Sequence, residues 1–152
     1  MARLFEPLTL KSVTTRNRIV ISPMCQYSAT DGLIGQWHHA HLMSFATGAP
    51  GLIMVEASGV VPEGRISIGC PSLETDEKVN AFIPIINFAH SQNVKMGIQL
   101  AHAGRKASTM RPWDDHLIAT KEEGGWQTVS ASDIPYNNMP TPHALTIDEI
   151  KS

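Results

Sequence analysis

The sequence predicts an α/β fold built on a parallel sheet, and three observations carry that prediction. Short continuous apolar runs stand at Arg18–Ser22, Gly51–Glu56 and Val94–Leu100. Strands that are apolar on both faces belong to parallel sheets covered by helices rather than to half-exposed antiparallel ones. The segments between the runs carry helical periodicity or helix punctuation, so the order reads β-α-β-α-β, with right-handed crossovers. Each run also ends in small, polar or proline residues, where α/β proteins place their sites.

The elements follow in order. Residues 1–15 are short and mixed, and suit a hairpin or cover segment. Residues 16–100 hold the three strands and two helices. Arg18-Ile19-Val20-Ile21-Ser22 is a β-branched strand stopped by Pro23. Asp31-Gly32 marks a turn, and Gln36–Thr47 is predicted to be helical. After the second strand, Pro62-Glu63-Gly64-Arg65 forms a loop. Thr75 can cap the next helix, with Asp76 and Glu77 in its first turn and Val79, Phe82, Ile83 and Ile86 at helical spacing. Pro84 lies inside that pattern and is expected to kink or break it.

Residues 101–145 lack such a pattern for about forty residues, far beyond an ordinary connection, and such loops are usually functional or disordered. The presence of Trp113, Trp126 and Tyr136 favours an ordered excursion over the mouth of the sheet. Residues 146–152 open with Thr146-Ile147-Asp148-Glu149, a capping box that announces a helix. Three parallel strands cannot close a barrel, which takes roughly 250 residues. The expectation is therefore an incomplete barrel, whose open edges and apolar faces need the remainder as a second chain.

Bulk properties exclude several classes. The 152 residues are 42% apolar and 17% charged, a soluble globular composition. A net charge of -2 gives no basic footprint for nucleic acid. The segment from Met1 to Pro7 lacks the apolar run of a signal peptide. No stretch approaches the roughly 20 apolar residues of a membrane span. A cytoplasmic location is expected, with Cys25 and Cys70 as free thiols in no metal-ligand or redox-pair spacing.

The strand ends carry the candidate chemistry. They read Ser22-Pro23-Met24-Cys25-Gln26-Tyr27, Glu56-Ala57-Ser58, and Gln99-Leu100-Ala101-His102-Ala103-Gly104-Arg105-Lys106. With Asn17–Cys25, Val55–Ser58 and Gly64-Arg65-Ile66, these stretches resemble the Old Yellow Enzyme family, in its order and spacing. The cysteine after Ser-Pro-Met resembles the thermophilic-like class, which also occurs in fungi. The likeness spans essentially the whole chain, but only about the first two-fifths of a family member.

The resemblance implies the first three β/α units of a TIM (β/α)8 barrel that binds FMN at the strand C-termini. It implies an ene-reductase that takes electrons from NADPH or NADH and saturates activated C=C bonds of enone-type substrates. By position, Ser22, Pro23 and Met24 would line the flavin, Cys25 would tune it, and Ala57 would pack on its rings. Gln99 would bond the pyrimidine edge, since a carboxamide offers both donor and acceptor. Tyr27 would reach toward the substrate carbonyl, and Arg105 would sit near the site mouth. A substrate-binding His pair, a proton-donating Tyr, an Arg by the flavin and a phosphate site would come from the C-terminal part of the barrel, and assembled barrels would form homodimers. Two positions depart from the pattern: Ser44-Phe45 stands for a Ser-Arg pair, and Glu74 for a Trp.

Plainer readings stand beside these. Cys25 alone reads as a small apolar residue, Tyr27 as a loop aromatic, and Gln99 as a strand-end polar group. Cys70 keeps the plain reading. In the cluster His38-His39-x-His41, His38 and His41 share one helical face and invite a metal, but no third or fourth ligand, carboxylate or thiolate, stands at useful spacing, so no metal site is expected. The rivals to a catalytic part are a self-associating, non-catalytic barrel remnant and a His- or thiol-based binding protein.

Overall fold

The computed structural model describes residues 3–151. Met1, Ala2 and Ser152, which belong to the expected first and last segments, lie outside the described residues. The chain opens with β1 (Leu8–Leu10) and β2 (Val13–Thr15), an antiparallel pair in which Leu10 faces Val13. The Thr15 hydroxyl donates to Leu8 O and Asn17 O, which fastens the pair to the start of the main sheet.

The main sheet has three parallel strands in the order β3 (Val20–Ile21), β4 (Leu52–Gly59) and β5 (Lys95–Ala101). β3 is shorter than the predicted Arg18–Ser22. The backbone explains this: Arg18 N donates to Leu4 O and Ile19 N to the Asn17 side chain, so the ladder starts late. Pro23, with no N–H, closes the other end.

β4 differs in the opposite direction. It runs through Ala57, Ser58 and Gly59, past the Glu56 at which the apolar signal stops. Val55 pairs with Ile98 and Ala57 with Gln99, so Glu56 is an extra residue, a β-bulge. Residues paired in a parallel ladder point to the same face. The bulge therefore moves Ala57 off the helix-packed face of Val55 and Ile98 onto the inner face with Gln99. Deeper on that inner face Met54 lies opposite Gly97, where a Cβ would meet the Met54 sulfur at 2.5 Å.

Helices cover the outer face. α1 (Gln36–Thr47) coincides with its predicted range. The helical pattern after Thr75 splits into α2 (Asp76–Asn80) and α3 (Ile83–Ser91), with Pro84 in the first turn of α3. A proline there costs no helical bond, whereas within one continuous helix it would lose its bond to the preceding turn. Thr75 caps α2 by accepting from Lys78 N. Ile53 and Val55 of β4, Leu42 and Ala46 of α1, Ile85 and Ala89 of α3, and Val94 form the buried core. Burying each large aliphatic side chain contributes about 1.5–3 kcal/mol relative to exposure.

The excursion after β5 is ordered and contains secondary structure that the sequence did not predict. β6 (Val129–Ser130) and β7 (His143–Ala144) pair in parallel, each only two residues long. Trp126 pins this segment to the loop after β4. Its indole N–H donates to Glu63 O at 2.9 Å, its backbone N–H donates to Ser108 Oγ, and the Arg65 guanidinium lies 4.8 Å from its ring centroid. Arg105 donates to Ile134 O, and Lys106 lies over Tyr136, so the motif after β5 holds the excursion from below. The capping box forms: Thr146 N donates to Glu149 Oε2 and Glu149 N to Thr146 Oγ1, opening α4 (Ile147–Lys151). No described helix is long and apolar enough to cross a membrane.

Candidate functional site

The C-terminal ends of β3, β4 and β5 bring together residues that are far apart in the chain. Ser22, Pro23, Met24 and Cys25 leave β3 without further ladder pairing, and Ser22 and Met24 are exposed. Ala57 is buried and lies in register with Gln99. The Gln99 side chain is exposed and makes no hydrogen bond among the described residues.

Glu56, the bulge residue, joins the first strand end to the second. Its Oε2 accepts from Gln26 N at 3.0 Å, and its Oε1 lies 3.3 Å from His38 Nε2 of α1. His38 Nδ1 accepts from Gly35 N, so a neutral ring carries its proton on Nε2, facing the carboxylate. The geometry is too oblique for a hydrogen bond, and Nε2 has no other partner. Both side chains are almost fully buried.

Cys25 is half-buried beside this carboxylate. Its thiol is lowered from the usual range to about 7, first by a hydrogen bond from Cys70 and also by the Ala57 backbone N–H, against the opposing effects of burial and Glu56. Cys70 is raised, first because its proton is held in the bond to Cys25 and then by burial. Tyr27 is raised by burial and by the neighbouring Cys25. It sits at φ 52°, in the left-handed region, with Trp113 edge-on at 5.8 Å between ring centroids. Tyr27 borders a cleft of about 460 Å³ lined also by Ile66, Thr109, Arg111 and Asp114. Arg111 Nε donates to Tyr27 O and fixes that backbone.

The histidine cluster is dispersed. His38 turns to Glu56, His39 contacts Gly35 O, and His41 lies between Trp37 and Phe45. Phe45, one of the departures from the family pattern, thus serves ring packing, and Glu74, the other, pairs with Lys78. His102 accepts from Gly104 N and supports the turn after β5.

Sequence spacing missed one grouping. It separates the two cysteines, yet the fold brings the Cys25 and Cys70 sulfurs and a Glu56 oxygen within 4.8 Å of one another. Cys70 is fully buried, as its plain reading expects, but it lies beside Cys25, which the spacing along the chain did not indicate. The one hint in the sequence was that both cysteines sit in loops following strands, at the same end of the sheet.

An open inner face, a short side chain at Ala57 and an unpartnered carboxamide at Gln99 fit a flat ring whose edge alternates donors and acceptors. A flavin is such a ring. Its phosphate would need other residues, since Ser22–Cys25, Ala57 and Gln99 carry no cationic side chain, and Arg105 and Lys106 are engaged with Ile134 O and the Tyr136 ring.

Comparison with known proteins agrees. The model of the NADH:flavin oxidoreductase / NADH oxidase family matches residues 3–152. An NADH:flavin oxidoreductase of Gibberella zeae is 43% identical over 154 residues, covering 98% of this chain and 37% of its own length. An NADPH dehydrogenase of Bacillus pumilus is 42% identical over 152 residues, covering 98% of this chain and 40% of its own length. The chain thus spans about two-fifths of the curated relatives it matches. The crystal structure of Old Yellow Enzyme from Pichia sp. AKU4542 superposes with a TM-score of 0.80 at 20% identity, over 98% of this chain and 39% of that one. The fold is that of the N-terminal part of such a barrel.

Proposed function

The chain belongs to the NADH:flavin oxidoreductase / NADH oxidase family, and from that premise we propose that it forms the flavin-facing first three β/α units of an FMN-dependent ene-reductase. The observation that carries this reading is the Ala57–Gln99 pair: a small side chain beside a free carboxamide, on the inner face at the strand ends. Ser22, Pro23, Met24 and Cys25 would border the ring, and Gln99 would bond its pyrimidine edge. When bound, FMN would take hydride from NADPH or NADH and deliver it to the carbon β to a carbonyl. Tyr27, beside its cleft, would orient that carbonyl.

The activity is proposed for the complete barrel, with the remaining units on the same polypeptide or on a separate C-terminal chain. Two exposed apolar residues of the outer strands support the need for covering: Val20 is 51% exposed and Leu100 62%. A non-catalytic, self-associating module would cover the same surface. The test is to purify the assembled protein, load it with FMN, and supply NADPH with a cyclic enone. The saturated ketone is expected. A flavin-loaded protein that NADPH reduces but that turns over neither enone nor maleimide ends this reading, and a colourless homo-oligomer that takes up no FMN supports the module.

A further inference from the structure

Cys25 and Cys70 are held in register by the loops that carry them. Ala29 N donates to Gly69 O at 2.9 Å, immediately before Cys70. Gly69 packs so closely on the Tyr27 backbone that a Cβ would meet Tyr27 O at 2.5 Å. On the Cys25 side, Gln26 N is fixed to Glu56 at 3.0 Å, and on the Cys70 side, Cys70 N donates to Ser67 O. The two sulfurs lie within 4.8 Å, and both are free thiols. Their accessibility is unequal: Cys25 is half-buried, and Cys70 is 0% exposed behind it.

We propose that Cys25 and Cys70 form a peroxide-responsive thiol pair, with Cys25 as the attacking and Cys70 as the resolving cysteine. The proposal is independent of the flavin reading. The Cys25 thiolate attacks one oxygen of hydrogen peroxide. An S–O bond forms, the O–O bond breaks, and hydroxide leaves, taking up the proton that Cys25 had released, to give water and a sulfenic acid. The Cys70 sulfur then attacks the Cys25 sulfur. An S–S bond forms, the S–O bond breaks, and the departing hydroxide takes the Cys70 proton as a second water. Two thiols lose two electrons, and one peroxide is reduced to two waters.

The geometry favours this chemistry over metal binding by the same three residues. Glu56 Oε2 already accepts from Gln26 N, its Oε1 lies 3.3 Å from His38 Nε2, and no fourth ligand joins the group among the described residues. The lowered Cys25 thiol supplies thiolate near neutral pH, and a shielded partner thiol intercepts the sulfenic acid before further oxidation.

The experiment treats the folded protein with hydrogen peroxide, blocks the remaining thiols with iodoacetamide, and maps the peptides by mass spectrometry. A peptide crosslinked between Cys25 and Cys70, lost on reduction with dithiothreitol, is expected. In Cys70→Ala the crosslink should vanish, and dimedone should label Cys25. Because Cys70 is in the core, Cys25→Ala serves as a second variant, and there Cys70 should resist both peroxide and label. Two results overturn the proposal: Cys25 reaching sulfinic acid in the wild type with Cys70 still alkylatable, or stoichiometric Zn2+ retained through gel filtration and lost in Cys25→Ala.

Discussion

Ala57 and Gln99 face one another across the parallel β4–β5 pair, one residue past the Glu56 bulge. Gln99→Leu keeps the size of the side chain and removes both its donor and its acceptor. A buried flavin edge deprived of its partner costs about 1–3 kcal/mol, and each 1.4 kcal/mol is tenfold in affinity. FMN binding to the assembled protein, followed by fluorescence quenching, should weaken by roughly five- to more than a hundredfold. An unchanged affinity would remove Gln99 from the site.

Cys25 is proposed to border the flavin, and it has no histidine beside it in sequence to activate it toward substrate. Cys25→Ala should therefore leave the assembled enzyme active, with an altered flavin potential and substrate KM. Steady-state kinetics and a dye-linked redox titration read both quantities. Loss of all turnover with FMN still bound would assign the thiol a covalent role.

The rate of Cys25 alkylation should rise with pH around a midpoint of about 7 instead of the usual thiol value. The bond from Cys70 is the main cause, so Cys70→Ala should move the midpoint upward. The sign for stability follows from a Cys25 value below its unfolded one: its contribution grows as pH rises through about 7 and is lost as pH falls through it, while the raised Cys70 opposes it above the ordinary thiol range. Iodoacetamide rates from pH 5 to 10, on the order of the range that separates the two values, decide it. Identical midpoints in wild type and variant would refute the assigned cause.

Ile85 is almost fully buried between the α3 helix and the sheet, whereas Val79 of α2 is exposed. Ile85→Ala should cost about 2–5 kcal/mol, and Val79→Ala should stay within about 0.5 kcal/mol. Urea denaturation of the assembled protein measures both. Equal losses would show that α2 packs more tightly than its exposure indicates.

Trp126→Ala removes the indole bond to Glu63 O and the stacked Arg65 contact together. The excursion should then be cleaved faster by trypsin at Lys121, while the β3–β4–β5 sheet stays protected. Unaltered cleavage would mean that Arg105 and Lys106 hold the segment without it.

What could be read from the sequence follows from how far each signal reaches along the chain. The α1 helix was legible because its signals are all local, and Pro84 marked the α2–α3 break because proline acts on its own turn. The extension of β4 was hidden because Ala57, Ser58 and Gly59 carry no apolar signal and pair only through Gln99, Leu100 and Ala101. The β6–β7 pair was hidden for a related reason, since two-residue strands have no period to detect. The positions proposed for the site could be named because motifs mark them, but the Cys25–Cys70 contact depends on two loops meeting, and no spacing along the chain encodes it.

The Glu56 bulge also shapes how this strand can change over generations. Deleting that single codon would place Ala57 directly after Val55 and still opposite Gln99, so the faces beyond it would be kept and only the carboxylate that meets Gln26 N and His38 would be lost. A codon inserted beyond the bulge would instead turn every later position of β4 to the opposite face. The bulge is therefore the place where this strand can lose a residue among descendants with its inner face preserved.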